Sequence, residues 1–203
     1  MFNWLFGYSE PHAFRPVNLA LAGGGVKAVS YVGAWKCLSD RNMIGSIRRI
    51  CGTSAGSLIA VMFSLGVSGI CSSEEIRRRV LEIDFRKYIS SGREGIIEKI
   101  KCAKNEITKY GWYSGIQTEE LCKLFLDRYL GNGDITLKEF QDTTGIELTI
   151  FATNITRKKL TMFTRATYGD VPVKTLCRAS ASIPFYFEPT FIKGEMYVDG
   201  GLL

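Results

Sequence analysis

Histidine is almost missing from this chain. His12 is the one histidine among 203 residues, and it precedes every recognisable element. A histidine-rich metal site is therefore excluded. A Ser-His-Asp or Cys-His catalytic arrangement must use His12 or be absent. The six cysteines, at 37, 51, 71, 102, 122 and 177, form no Cys-x-x-C pair, which argues against a zinc site. Their wide, irregular spacing reads as free thiols in a reducing compartment, which points to the cytoplasm. A secretory leader is also lacking. The first residues carry Phe2, Trp4, Leu5, Phe6 and Tyr8 but no basic start and no long apolar stretch. Residues 1–16 read as an N-terminal segment that docks on the domain. Charge is absent from residues 50–73, a run of 24 residues that is long enough to cross a bilayer. It contains Gly52, Gly56, Gly66 and Gly69 and seven serines or threonines. Those residues favour a buried strand end, a tight turn and a buried helix over a transmembrane span. No internal repeat or low-complexity block is visible.

What remains is an ordinary globular composition, 46% hydrophobic and 23% charged, enough for one domain over residues 17–203. The formal net charge of +6 suggests attraction to an anionic surface. Residues 17–22 form a short apolar run that ends in three glycines, and residues 26–38 follow with helical spacing. Residues 47–51 and 57–65 repeat the pattern of strand and helix around the turn at 52–56. Two such units in succession predict an α/β fold with a parallel sheet. Residues 74–110 are dense in charge, with ten basic and seven acidic side chains, and read as a helical insertion that could form a lid. A helix is expected over 118–130, with Thr118 as N-cap and Gly131 just past its end. Residues 147–152 and 160–164 read as a hairpin whose turn carries Arg157, Lys158 and Lys159. Tyr197 and Val198 close a last short strand.

Three motifs carry chemistry. Gly52, Thr53, Ser54, Ala55 and Gly56 match G-x-S-x-G, which sets a serine on a sharp strand-to-helix turn with its hydroxyl exposed. Gly23, Gly24 and Gly25, followed by Val26 and Lys27, would expose several backbone N–H groups at a helix start and bind an anion or an oxyanion. A dinucleotide site on that loop is disfavoured, because the nearest acid, Asp40, lies in a loop after the helix. A Walker loop is excluded because Lys27 is followed by Ala28. Asp199, with Gly200 and Gly201 behind it, sits at a strand end, where active sites of α/β sheets gather. Serine, anion nest and aspartate are the parts of an acyl hydrolase without its histidine. The economical solution is that Asp199 itself takes the serine proton. That requires desolvation and a direct hydrogen bond to Ser54.

This ordered set resembles the patatin-like phospholipase family, which is related to the catalytic domain of cytosolic phospholipase A2. The run Ala179, Ser180, Ala181, Ser182, Ile183 and Pro184, with Phe187 and Pro189, also looks like the stretch that leads to the family's aspartate strand. The resemblance implies a three-layer α/β fold with a mostly parallel central sheet flanked by helices, and a lipid acyl hydrolase with Ser54 as nucleophile and Asp199 as its partner in a dyad. It implies an oxyanion hole from Gly23, Gly24 and Gly25, supported by Lys27, with Gly52, Gly56, Gly200 and Gly201 shaping the turns. It implies a phospholipid or other acyl-lipid substrate, transient contact with a membrane surface, and no nucleic acid, metal or other cofactor. Calcium independence is expected on the same ground. The protein would be peripherally membrane-associated. Two departures stand out: Ala28 replaces a frequent glycine, and family members usually continue past the aspartate. A domain cut short at its C-terminus is therefore one expectation. The alternative reading is a catalytically inactive fold of this kind that binds a membrane or a protein.

Overall fold

A computed structural model of the chain describes residues 15–83 and 110–203. The aromatic N-terminal segment and most of the charged insertion read as a lid lie outside these described residues.

The first apolar run is strand β1 (Asn18–Leu21), and the second is β2 (Arg49–Thr53). Between them the chain makes a 3-10 turn (Gly25–Ser30) before helix α1 (Tyr31–Asp40). The glycine loop therefore enters its helix through a tighter turn than the helical spacing from residue 26 suggests. Helix α2 (Ala55–Val67) starts immediately behind β2. The uncharged run is thus a strand, an elbow and a helix buried along most of its length. Among the described residues no helix is long and apolar enough to cross a membrane.

Packing explains why α2 carries no charge. Trp35 of α1 stacks on Phe63 of α2, with ring centroids 4.2 Å apart, and both rings are fully buried. A pair of buried rings of this kind contributes about 0.5–1.5 kcal/mol beyond its burial. Next to it, helix α3 (Ser73–Glu82) brings Ile76 to Gly66. A side chain on Gly66 would meet the Trp35 ring and Ile76, so three helices close on one glycine. The N-cap Ser72 accepts a hydrogen bond from Glu75 N at 3.1 Å.

Strand β3 (Gly111–Tyr113) leads into helix α4 (Ile116–Leu130). This helix starts earlier than the expected Thr118 cap. Gly115, in a left-handed conformation with φ 67°, is the N-cap, and Thr118 is a buried residue of the first turn. Gly131, with φ 68°, ends the helix as expected. Helix α5 (Leu137–Thr144) begins at a reciprocal capping box between Thr136 and Glu139. Strands β4 (Glu147–Asn154) and β5 (Lys159–Phe163) form the hairpin in antiparallel register. Helices α6 (Arg165–Tyr168) and α7 (Val173–Ser180) follow. Strands β6 (Phe185–Phe187), β7 (Thr190–Ile192) and β8 (Glu195–Asp199) complete the order.

The sheet is parallel through β1, β2 and β4 and antiparallel through β5, β8 and β7, so the mostly parallel expectation describes its first half. Strand β4 is the hub. Ile150 and Phe151 pair with β2 and with β5, so these two strands lie on opposite edges of β4. Residues 152–154 pair with β5 and with β8, so β8 shares the edge used by β2. Strand β2 runs along that edge and ends opposite Phe151. Strand β8 runs the other way and ends opposite Ala152. Two strands far apart in sequence thus finish head to head on neighbouring positions of a third. A small separate sheet pairs β3 with β6 in parallel.

Candidate active site

Ser54 lies at the end of β2 and Asp199 at the end of β8, so the head-to-head arrangement brings their side chains together. Ser54 Oγ donates a hydrogen bond to Asp199 Oδ2 at 2.6 Å. Both residues are buried, with 7% and 8% of their surface exposed. The other carboxylate oxygen, Oδ1, accepts the Gly201 N–H at 2.8 Å. Burial holds the Asp199 carboxyl above the ordinary aspartate range, against the opposing pull of the Ser54 hydroxyl and the Gly201 N–H. A carboxylate so placed is a stronger base than one in water.

Ser54 occupies φ 54°, ψ −131°, a backbone conformation that residues with a side chain rarely adopt. The elbow closes because its flanking positions have no Cβ. A Cβ on Gly52 would strike the Gly56 carbonyl, and one on Gly56 would strike the carbonyl oxygens of Leu21 and Ala22. The backbone of Ser54 is tied on both sides. Its carbonyl accepts from Ser57 N at 2.9 Å and from Ser57 Oγ at 2.6 Å. Its N–H donates to Ser180 Oγ at 2.8 Å.

The glycine loop closes over the same place. A Cβ on Gly23 would stand 3.0 Å from Ser54 Cβ, so this residue lies directly against the nucleophile candidate. Gly24 and Gly25 continue along the exposed loop, Gly25 with φ 53°, and open the 3-10 turn. Lys27 is exposed, and its N–H donates to the Gly24 carbonyl at 3.1 Å. Tyr31 anchors the loop by donating from its hydroxyl to the Ala22 carbonyl at 3.0 Å. At the other strand end, a Cβ on Gly200 would strike the Phe151 carbonyl. The structure therefore gathers Ser54, Asp199, Gly23, Gly52, Gly56, Gly200 and Gly201 at one point, while the Lys27 side chain is exposed.

Three residues around the site were not singled out as functional by the sequence. Ser57 and Ser180 hold the backbone of Ser54. The Ser182 carbonyl accepts the Asp199 N–H at 2.8 Å. Ser180 and Ser182 lie in the small-residue run, which was legible as a motif but not as a pair of backbone anchors. No signal in a single sequence ties residue 180 to residue 54.

Elsewhere the basic residues are mostly engaged. Arg77, Arg78 and Arg79 of α3 pair with Glu74, Glu75 and Glu82 of the same helix, so its formal charge cancels. Arg157 pairs with Glu195, while Lys158 and Lys159 are exposed in the hairpin. Among the described residues no cluster of three or more histidines, cysteines or acids could hold a metal ion. The five described cysteines form no disulfide.

Comparison with known proteins gives this geometry a lineage. The chain is 28% identical over 205 residues to the probable lipid hydrolase 463L of Invertebrate iridescent virus 6, covering 96% of this chain and 64% of that protein. It is 29% identical over 197 residues to YqhO of Bacillus subtilis, covering 92% of this chain and 64% of that protein. Its fold matches VipD of Legionella pneumophila with a TM-score of 0.64 at 20% identity, over 93% of this chain and 46% of that one. The chain thus spans less than two thirds of the length of these relatives. The family model for patatin-like phospholipases matches residues 19–203, and the chain belongs to the patatin-like phospholipase family.

Proposed function

We propose that the chain is a lipid acyl hydrolase that works through a Ser54–Asp199 dyad and an acyl-enzyme. The observation that carries this reading is the 2.6 Å hydrogen bond from Ser54 Oγ to a buried, desolvated Asp199. Family membership and the relative named as a probable lipid hydrolase support lipid hydrolysis in general.

In this reading Asp199 accepts the Ser54 proton as Oγ forms a bond to the acyl carbonyl carbon. The negative charge that develops on the carbonyl oxygen is held by backbone N–H groups of the Gly23–Gly24–Gly25 loop, which lies against Ser54. The Ser54 N–H cannot serve there, because Ser180 already accepts it. Collapse of the intermediate breaks the ester bond, and Asp199 returns the proton to the departing alcohol, a lysolipid for a phospholipid substrate. Water then attacks the acyl carbonyl carbon and Asp199 takes its proton; the bond from Ser54 Oγ to the acyl carbon breaks, Asp199 returns the proton to Oγ, and the fatty acid leaves. The chemistry needs no metal. Gly52, Gly56, Gly200 and Gly201 shape the two strand ends, and Lys27 supports the loop through its N–H bond to the Gly24 carbonyl and through the field of its exposed charge. Contact with the membrane is transient and peripheral, with Lys158 and Lys159 as the exposed cations of the hairpin.

The test is fatty acid release from phospholipid vesicles by the wild type, Ser54→Ala and Asp199→Asn. Turnover by the wild type and its loss in both variants is expected. Unchanged turnover in either variant contradicts the dyad. A wild type without turnover and without labelling by a fluorophosphonate probe would support the inactive, binding-only alternative.

A further inference from the structure

Strand β2 pairs with β4 up to Thr53↔Phe151 and then leaves the sheet at Ser54. At that point one hydroxyl stands between the two strands. Ser180 Oγ accepts the Ser54 N–H at 2.8 Å and donates to the Phe151 carbonyl at 2.6 Å. A hydroxyl has one proton and two lone pairs, so it can do both at once. Ser180 is completely buried and is the last residue of α7, which packs on β4, β8 and α4. Two residues further on, the Ser182 carbonyl accepts the Asp199 N–H at 2.8 Å. A single turn of chain therefore holds the backbone of both dyad residues. Ser182 is itself fixed, because its hydroxyl donates to the Arg178 carbonyl at 2.8 Å.

The strain at Ser54 makes this tie consequential. A residue at φ 54°, ψ −131° keeps that conformation only where its surroundings over-determine it. The Ser57 bonds fix the carbonyl side of the elbow, and Ser180 fixes the amide side. Without the Ser180 hydroxyl, a buried Ser54 N–H and the Phe151 carbonyl would both lose a partner. The elbow could then relax, and Ser54 Oγ would swing relative to Asp199. We infer that Ser180 is a positioning residue, whose hydroxyl holds Ser54 in its strained conformation and so sets the aim of Oγ. The inference rests on the Ser54–Asp199 reading. Ser180 touches neither substrate nor the reacting oxygen, and it acts through the backbone of Ser54.

The experiment follows covalent labelling by a fluorophosphonate probe and reads two quantities, the rate constant and the final stoichiometry. Ser180→Ala is expected to label about 10- to 100-fold more slowly than the wild type while reaching the same stoichiometry. Ser180→Cys, with a weaker acceptor of similar shape, is expected to fall between. Ser64→Ala is the control: it removes another fully buried hydroxyl, bonded to the Ala60 carbonyl at 2.8 Å toward the far end of α2, and should label at the wild-type rate. The acid limb of the labelling rate against pH should move to higher pH in Ser180→Ala, because a Ser54 hydroxyl that swings away no longer holds the Asp199 carboxyl down.

A merely structural role for Ser180 would lower the stoichiometry and leave the rate constant unchanged, and that result overturns the inference. A wild-type rate in Ser180→Ala overturns it as well. If Ser180→Ala does not fold, Ser180→Cys decides by the same criterion: slower labelling at full stoichiometry supports the inference, and a wild-type rate overturns it. Labelling that persists in Ser54→Ala, or is absent from the wild type, overturns the dyad reading and the inference with it. The two failures are therefore distinguishable.

Discussion

Asp199 and Glu75 are both carboxylates that accept hydrogen bonds through both oxygens, yet they are displaced in opposite directions. Glu75, on the surface of α3, takes hydrogen bonds from Arg78, Arg79 and the Tyr129 hydroxyl, and its carboxyl is held down to about 2. Asp199 takes its bonds from the Ser54 hydroxyl and the Gly201 N–H, two neutral donors, and burial holds its carboxyl up. The number of donors, three against two, does not by itself give opposite directions. The charge of the donors and the access of water do. An acid beside arginines in water becomes a fixed anion. An acid buried beside a hydroxyl becomes a base with a proton within reach. The same contrast runs through the backbone: α3 is a regular capped helix, whereas Ser54 sits in a conformation that only its neighbours maintain.

Breaking each carboxylate in turn sharpens this comparison. The largest effect is expected from Asp199→Asn, which keeps the shape of the site and removes the proposed base. Turnover should fall by about a thousandfold or more, measured as fatty acid release at saturating substrate. Its effect on stability should have the opposite sign. A carboxyl whose folded pKa lies above its unfolded value contributes stability below the unfolded pKa and loses it as pH rises through the folded value. At neutral pH the buried charge of Asp199 therefore opposes folding. Asp199→Asn should melt at the same temperature as the wild type or above it, read by calorimetry.

The elbow should be the next most sensitive place. Gly56→Ala pushes a methyl group into the carbonyls of Leu21 and Ala22, backbone that cannot step aside. A loss of about 1–3 kcal/mol in denaturant melts is expected, together with lower activity, because the same contact carries the glycine loop. A pH profile gives a smaller but more specific effect. The acid limb of kcat/KM should lie above the ordinary aspartate value of about 3.9, since Asp199 must be ionised to accept the proton and its affinity for that proton is raised. A limb at or below that value would show that burial does not tune the base. The smallest effect belongs to Glu75→Gln. Activity should stay within about twofold of the wild type. Stability should fall slightly at neutral pH, because a depressed carboxyl contributes stability above its unfolded pKa and loses it only as pH drops from 4.5 toward 2.

Local rules made the first half of the site legible. Apolar runs ending in glycine marked β1 and β2, and the G-x-S-x-G spacing marked the elbow. The single histidine, His12, precedes the first strand, which leaves Asp199 as the group to take a serine proton. Thr118 shows where local rules mislead: it has the right chemistry for a cap, but Gly115 can turn left-handed and starts the helix before it. Strand β8 shows a different limit. Its pairing with the β2 edge of β4 depends on the hairpin having taken the other edge, a choice that no short segment records. Ser180 is the extreme case. Its residue type and its small-residue neighbourhood were visible, but its partner is 126 positions away, and the bond exists only once the sheet has formed.

The role proposed for Ser54 is that of a nucleophile made reactive by Asp199. Mass-spectrometric mapping of fluorophosphonate labelling, run side by side on the wild type and Asp199→Asn, tests it most directly. A label on Ser54 is expected in the wild type, with labelling at least about a hundredfold slower in the variant. A label on another residue, or equal rates in the two proteins, would contradict it.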